Sequence, residues 1–298
     1  MNPGVITMKK AMVVRVGKGI GGLLVERLIG AGVDVVAYSG SRHKLAALEE
    51  TFDQSPHLHT VLGDVKDSEG LLAAAANGVD VIFCGIYLTY DENPDKVRQM
   101  LEAVEMVSEK TGAKVITIEG IYRPAGENEH ALRLNARYMR LISPELYGGQ
   151  VTNTIVHYLL KKIANGKTVN SFLRPEIRRE YLYAVDAAKD VVELATNDYA
   201  FGRIWNLRGG PSITEEELIG FTGSAVNAIP RIEKIGGWKL RLLQWYMPRT
   251  KEILDCYDRG VLDNKVFGLE YFRSGGATSY EEGIHTTVAS MKEYHHLM

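Results

Sequence analysis

Short apolar runs alternate with amphipathic stretches through the first 120 residues, and this alternation limits the available folds more than any other feature of the chain. Ala11 to Val16 (AMVVRV) is apolar, rich in β-branched residues and closed by Gly17, the pattern of a buried strand. Gly22 to Gly30 (GLLVERLIG) sets Leu23, Leu24, Leu28 and Ile29 against Glu26 and Arg27, as an amphipathic helix does, and Ala31-Gly32 ends it. The same reading places strands at Val33 to Tyr38, Thr60 to Leu62, Val79 to Ile86 and Lys114 to Ile118. Between them it places helices at Arg42 to Phe52, Ser68 to Asn77 and Lys96 to Lys110. Strands joined through helices by short links run parallel and are covered on both faces. The expected class is therefore α/β, a Rossmann doubly wound parallel sheet.

Beyond Gly120 the regularity lapses. Tyr122 to Asn135 carries turn residues; a sixth strand is expected at Tyr138 to Ile142 and another at Arg203 to Leu207. Helices are expected at Asn153 to Asn165 and Val185 to Thr196, the second with Asp186 as a cap. The tail offers a capped helix at Ser212 to Phe221, a Trp- and Leu-rich stretch at Trp238 to Met247, and a last helix near Tyr280 to Tyr294. Ser279 and Glu282 stand at capping-box spacing before that helix. No linker or repeat separates the parts. The expected division is a Rossmann domain of residues 1–149 plus 184–210 and a smaller C-terminal substrate-binding lobe of residues 150–183 plus 211–298.

Charge and composition exclude several classes. Thirty-five Lys and Arg against 37 Asp and Glu leave a net charge of -2, without the basic excess that marks nucleic-acid or anionic-membrane binding. No apolar run approaches the ~20 residues of a membrane span. The first residues, MNPGVITMKK, do not read as a secretory signal. Two cysteines make no disulfide framework, and a cytoplasmic location is expected. His57 and His59 lack partners at metal-ligand spacing, so no metal is expected.

Gly17-Lys18-Gly19-Ile20-Gly21-Gly22 matches G-x-G-x-x-G between a strand and a helix, which turns a weak pattern into a candidate dinucleotide loop. In that reading Gly17 makes the turn, Gly19 lets a pyrophosphate approach the backbone, and Gly22 lets the helix pack on the strand. The helix N-terminus then faces phosphate. At the end of the second strand stand Tyr38-Ser39-Gly40-Ser41-Arg42, with no carboxylate to accept from a ribose 2′-OH. Ser39, Ser41 and Arg42, with Lys18 nearby, suit a 2′-phosphate, so NADP is preferred over NAD as cofactor.

Several motifs in order resemble the extended and atypical short-chain dehydrogenase/reductases, grouped with the NAD-dependent epimerase/dehydratases. They are GIGGLLVERL from Gly19, Gly63-Asp64-Val65 with Asp67, GVDVIF from Gly78, PELYG from Pro144, YLYAVDAA from Tyr181 and GRIWNL from Gly202. The resemblance spans nearly the whole chain. It implies that Asp64 and Val65 line an adenine pocket and that Gly85 and Ile86 pass near the nicotinamide ribose. It also implies that Pro144, Leu146 and Tyr147 approach the nicotinamide.

The chain departs from that family where the proton is handled. The family's Ser is replaced within Ile118-Glu119-Gly120-Ile121-Tyr122, and its Tyr-x-x-x-Lys helix is missing. Tyr158 and Lys162 have the spacing but follow the sixth strand, and they read as one turn of an amphipathic helix. The candidate substitute proton donors are Tyr122, Tyr87, Glu119 and His130, with water or the substrate itself as the alternative. In the second lobe Arg174, Arg178 and Arg179 form a basic cluster among Phe172, Tyr181, Trp238, Trp245 and Tyr246. The expected function is NADP(H)-dependent reduction of a small, ring-bearing carbonyl compound by a monomer or homodimer. The alternatives are a nucleotide-sugar epimerase or dehydratase, and a dinucleotide-sensing regulator similar to the NmrA-like proteins.

Overall fold

The computed structural model describes residues 7–17, 19–52, 55–123, 135–171, 177–235 and 270–296, with Trp238, Trp245, Leu254 and Asp255 between them. The first half alternates as expected: β1 (Lys10–Val14), α1 (Gly21–Gly30), β2 (Asp34–Ser39), α2 (Arg42–Thr51), β3 (Leu58–Leu62), α3 (Ser68–Ala75), β4 (Val81–Ile86), α4 (Pro94–Thr111) and β5 (Lys114–Glu119). The second half adds β6 (Tyr138–Ile142), β7 (Glu145–Tyr147), α5 (Ile155–Ala164), β8 (Val169–Ser171), β9 (Tyr181–Tyr183), α6 (Ala184–Ala195) and β10 (Ile204–Leu207). It closes with α7 (Glu215–Val226), β11 (Ile232–Lys234), β12 (Glu270–Phe272) and α8 (Tyr280–His296).

Eight strands form one parallel sheet in the order β12-β10-β6-β5-β4-β1-β2-β3. The direction of strand addition reverses between β1 and β4, which opens a crevice at the carboxyl ends of those strands. The apolar run in β1 follows from its place in the middle. Ala11 and Val13 join the core that includes α1 and α6, while Met12 and Val14 join the core that includes α3 and α4. Cys84 is buried in β4, and that burial pushes its thiol up to about 12. A third core joins α5, α7 and α8 through Leu159, Leu160, Leu218 and Ile284. No helix among the described residues is long and apolar enough to cross a membrane.

Three local departures from the sequence reading have physical causes. β1 stops at Val14 because Arg15 turns into the left-handed region, at φ 63°. Helix α7 starts later than Ser212, since Ile213 still pairs with Arg179 in an extended bridge. Thr214 and Glu217 then close the capping box. Asp186 does not cap its own helix. It accepts from Arg273 Nη2 at 2.7 Å and from the Thr278 amide and hydroxyl, both at 2.9 Å. One turn on, Asp190 accepts from the Ser274 amide and hydroxyl. Two carboxylates on α6 thus tie down the connection from β12 to α8. Ser279 caps α8 as read, accepting from the Glu282 amide.

Asp186→Ala removes a charged acceptor from three donors, so it should cost about 2–3 kcal/mol of folding stability. Urea unfolding should show a lower midpoint at unchanged slope; an unchanged midpoint would mean that the clamp contributes nothing.

Candidate functional site

At the crevice, β1 gives way to a loop held open by backbone conformation. Gly17 and Gly19 both take positive φ, at 94° and 54°. The close approach assigned to Gly22 belongs to Gly21 instead. A Cβ on Gly21 would lie 3.1 Å from the Val16 Cα, whereas one on Gly22 would meet only the Gln150 side chain. Ile20, the N-cap of α1, is buried and offers no side-chain acceptor to the first-turn amides. Lys18 lies outside the described residues.

Beside this loop, the carboxyl ends of β1, β2 and β3 surround a cavity of about 550 Å³. Val16, Ser39, Gly40, Ser41, Gly63, Asp64 and Val65 supply its walls. The structure therefore brings Ser39, Ser41, Asp64 and Val65 together at one cavity. Leu62 adds an apolar wall that is 50% exposed. The Ser39 hydroxyl is turned inward and donates to the Val16 carbonyl at 3.3 Å. Tyr38, fully buried, donates to the Asp64 carbonyl at 3.1 Å and so fixes the β3 exit against β2.

The cations around the cavity differ from those expected. Arg42 opens α2 exposed and does not line the cavity; Lys44, half a turn on, does, and its ammonium donates to the Gly17 carbonyl. Arg15, Lys66 and Lys96 complete the set. Asp64 is the one carboxylate among the described residues that line the cavity. The Lys66 amide and ammonium hold its pKa below the ordinary value. Lys44 was legible in principle, because it lies three residues after Ser41 and so shares its side of the helix. Arg15 sits inside an apolar run and announces nothing by spacing.

At the far side of the crevice the proposed proton donors have other work. Glu119, 3% exposed at the end of β5, receives both arms of Arg140, at 2.6 and 2.8 Å, with Arg123 and Thr117. Burial alone would raise its pKa; the hydrogen bonds and charge of Arg140, with Arg123, outweigh burial and hold it below the ordinary 4.5. Tyr122 is 5% exposed, donates to Glu145 Oε1 and accepts from the Ile155 amide at 2.8 Å. Glu145 also accepts from the Val156 amide, so the pair closes the N-terminus of α5. Burial first, and then the charge of Glu145, push the Tyr122 hydroxyl well above 10. Both residues are joints of the fold rather than groups facing a cleft. Tyr87 is buried too, and His130 falls outside the described residues.

The residues expected on the nicotinamide side divide in the same way. Gly85 reaches the crevice, whereas Ile86 is buried in the core that includes α3 and α4. Pro144, Leu146 and Tyr147 are interior: β7 pairs with β9, and Tyr147 packs against Tyr183, Tyr280 and Gly283. Tyr158 and Lys162 form a cation–π pair at 5.5 Å along α5, one helical turn as read. Arg178 is exposed and reaches the Ser212 carbonyl and Glu217, while Arg179 is buried. Phe172, Arg174 and Tyr246 fall outside the described residues.

Glu119→Gln leaves Arg140 without its buried counter-charge and should cost about 3–5 kcal/mol. Because the folded pKa of Glu119 is lowered, its contribution is present above pH 4.5 and fades as pH falls through the folded value. The stability gap between wild type and Glu119→Gln, measured by urea unfolding, should therefore shrink below pH 4.5. A gap constant with pH would contradict the assigned pair.

No protein-family model matches this chain, and no curated protein matches its sequence. Solved structures do share its architecture. Pal from Bacillus thuringiensis superposes with a TM-score of 0.70 at 16% identity, over 96% of this chain and 99% of that one. A dTDP-glucose 4,6-dehydratase from Bacillus anthracis, solved with NAD, gives 0.67 at 13% identity over 96% and 97%. A UDP-glucose 4-epimerase from Thermotoga maritima, solved with UDP-glucose, gives 0.67 at 15% identity over 96% and 99%. At these identities the likeness is one of fold: the chain has the Rossmann-like α/β architecture of such dehydratases and epimerases.

Proposed function

We propose that the chain binds a nicotinamide adenine dinucleotide, with the adenosine half in the cavity at the ends of β1, β2 and β3. The observation that carries this reading is the coincidence of three features at one switch point. They are a loop of left-handed glycines, an uncapped helix N-terminus, and a cavity lined by Arg15, Lys44, Lys66 and Lys96. Leu62 and Val65 offer apolar faces to an adenine, and the cations favour a ribose bearing a 2′-phosphate, so NADP is preferred to NAD. Bound here, the dinucleotide supplies a hydride donor or acceptor. The chain positions it: Lys44 and Arg15 neutralise phosphate, and the Gly40 and Gly63 backbones admit the ribose.

For the chemistry, we infer oxidoreduction of a nucleotide-linked sugar, of the epimerase or dehydratase kind. The fold neighbours that act on dTDP- and UDP-sugars favour it over reduction of a free ketone, which makes the same demand on the cofactor. Glu119 and Tyr122 take no part in proton transfer in this reading, because each is held inside the fold. That same engagement favours a second reading, a protein that binds the dinucleotide and responds to it without turnover. Incubation with NADP⁺ and a set of UDP- and dTDP-sugars separates the two: product, or a reduced-nicotinamide absorbance, supports the enzyme, and tight binding without either supports the responder.

Lys44→Ala should weaken NADPH binding by about tenfold or more, the loss of one charge-assisted hydrogen bond, and change NADH binding much less. Calorimetric titration reads both. Equal losses for the two nucleotides would place the 2′-phosphate elsewhere.

A further inference from the structure

The adenosine cavity is open, but the way from it towards the β4 and β5 ends is filled by the chain itself. After β4, Tyr87 takes a left-handed conformation, at φ 52°, and turns Leu88 back over the crevice. The Leu88 Cδ1 lies 2.9 Å from the position a Cβ on Gly19 would take and 2.8 Å from the equivalent point on Gly85. It is 3% exposed. The slot between the glycine loop and the end of β4 is therefore full of hydrocarbon. That is the slot a diphosphate resting on the loop backbone has to use.

One buried carboxylate ties this segment to Arg15. Glu92, 7% exposed, accepts from Arg15 Nη1 at 2.6 Å with Oε2 and from the Leu88 amide at 3.1 Å with Oε1. Arg15 also donates to the Gly85 carbonyl at 3.3 Å, and it lines the cavity. One cation of the crevice wall is thus spent on a neighbouring acid, and the acid's charge would repel the phosphates. Tyr90 anchors the other side of the segment through its amide to the Asn153 carbonyl, at 2.9 Å.

We propose that residues 87–92 are a lid and that Arg15 is a ligand for the dinucleotide's diphosphate, masked by Glu92 while the lid is closed. This rests on the dinucleotide reading above. Closed, the site admits an adenosine carrying a 2′-phosphate; the whole dinucleotide enters once Leu88 withdraws and Glu92 releases Arg15. Two states with a closed majority lower the apparent affinity for the dinucleotide by the open fraction and leave the fragment untouched.

The test is calorimetry with two probes, adenosine 2′-monophosphate and NADPH, on wild type, Leu88→Ala and Glu92→Gln. Emptying the slot or releasing Arg15 should tighten NADPH by about tenfold, as when a state populated at about one tenth becomes dominant. The affinity for adenosine 2′-monophosphate should stay within about twofold. Glu92→Gln keeps the side-chain volume and gives the same answer if Leu88→Ala does not fold. Arg15→Met should then weaken NADPH in the Leu88→Ala background. An unchanged ratio of the two affinities in both lid variants overturns the lid while the dinucleotide reading stands. No binding of either probe to any of the proteins removes the dinucleotide reading, and the lid with it.

Discussion

Helix α1 rests on the turn after β1 at Gly21, where a Cβ would crowd the Val16 Cα at 3.1 Å. This contact sets the direction of the helix and, with it, the geometry of the crevice. The helix can come that close because β1 ends abruptly at the left-handed Arg15 and the chain returns through Gly17 and Gly19. The central parallel strand then delivers its carboxyl end, the amino end of α1 and the exits of β2, β3 and β4 to one place. The cavity, its ring of cations and the Leu88 segment all follow from that convergence.

The polar groups inside the fold are used as joints. Glu119 ties β5 to Arg140 on β6; Glu145 and Tyr122 close the start of α5; Asp186 and Asp190 on α6 fasten the segment leading to α8. Each carboxylate sits where two elements meet, and each has several donors. Glu119, with Arg140, Arg123 and Thr117 around it, is held ionised and immobile, the opposite of what proton transfer needs. The chain has the Rossmann-like frame of the dehydratases and epimerases it resembles in fold, and at the end of β5 it has placed a structural ion pair.

Much of the frame was legible. Parallel strands buried on both faces must be continuous apolar runs, and β1, β2, β4 and β5 are. The three-residue pairs β7–β9 and β8–β11 were not, because three residues are too few to show a period. The cavity was legible in outline: Ser39, Ser41, Asp64 and Val65 do line one cavity. What failed were statements about direction. Arg42 and Lys44 are equally basic in sequence, and only the phase of α2 separates them. Tyr122 and Glu119 occupy a suggestive position at the end of a strand, but each is buried, and their main partners, Glu145 and Arg140, lie 23 and 21 residues away.

The account stands on adenosine binding between the β2 and β3 exits, and hydrogen–deuterium exchange with and without NADPH reads that place directly. It predicts slowed exchange at residues 39–44 and 62–66 on saturation, with 2′,5′-ADP reproducing the effect. Unchanged exchange across both segments at saturating nucleotide, or protection confined to other parts of the chain, would contradict it.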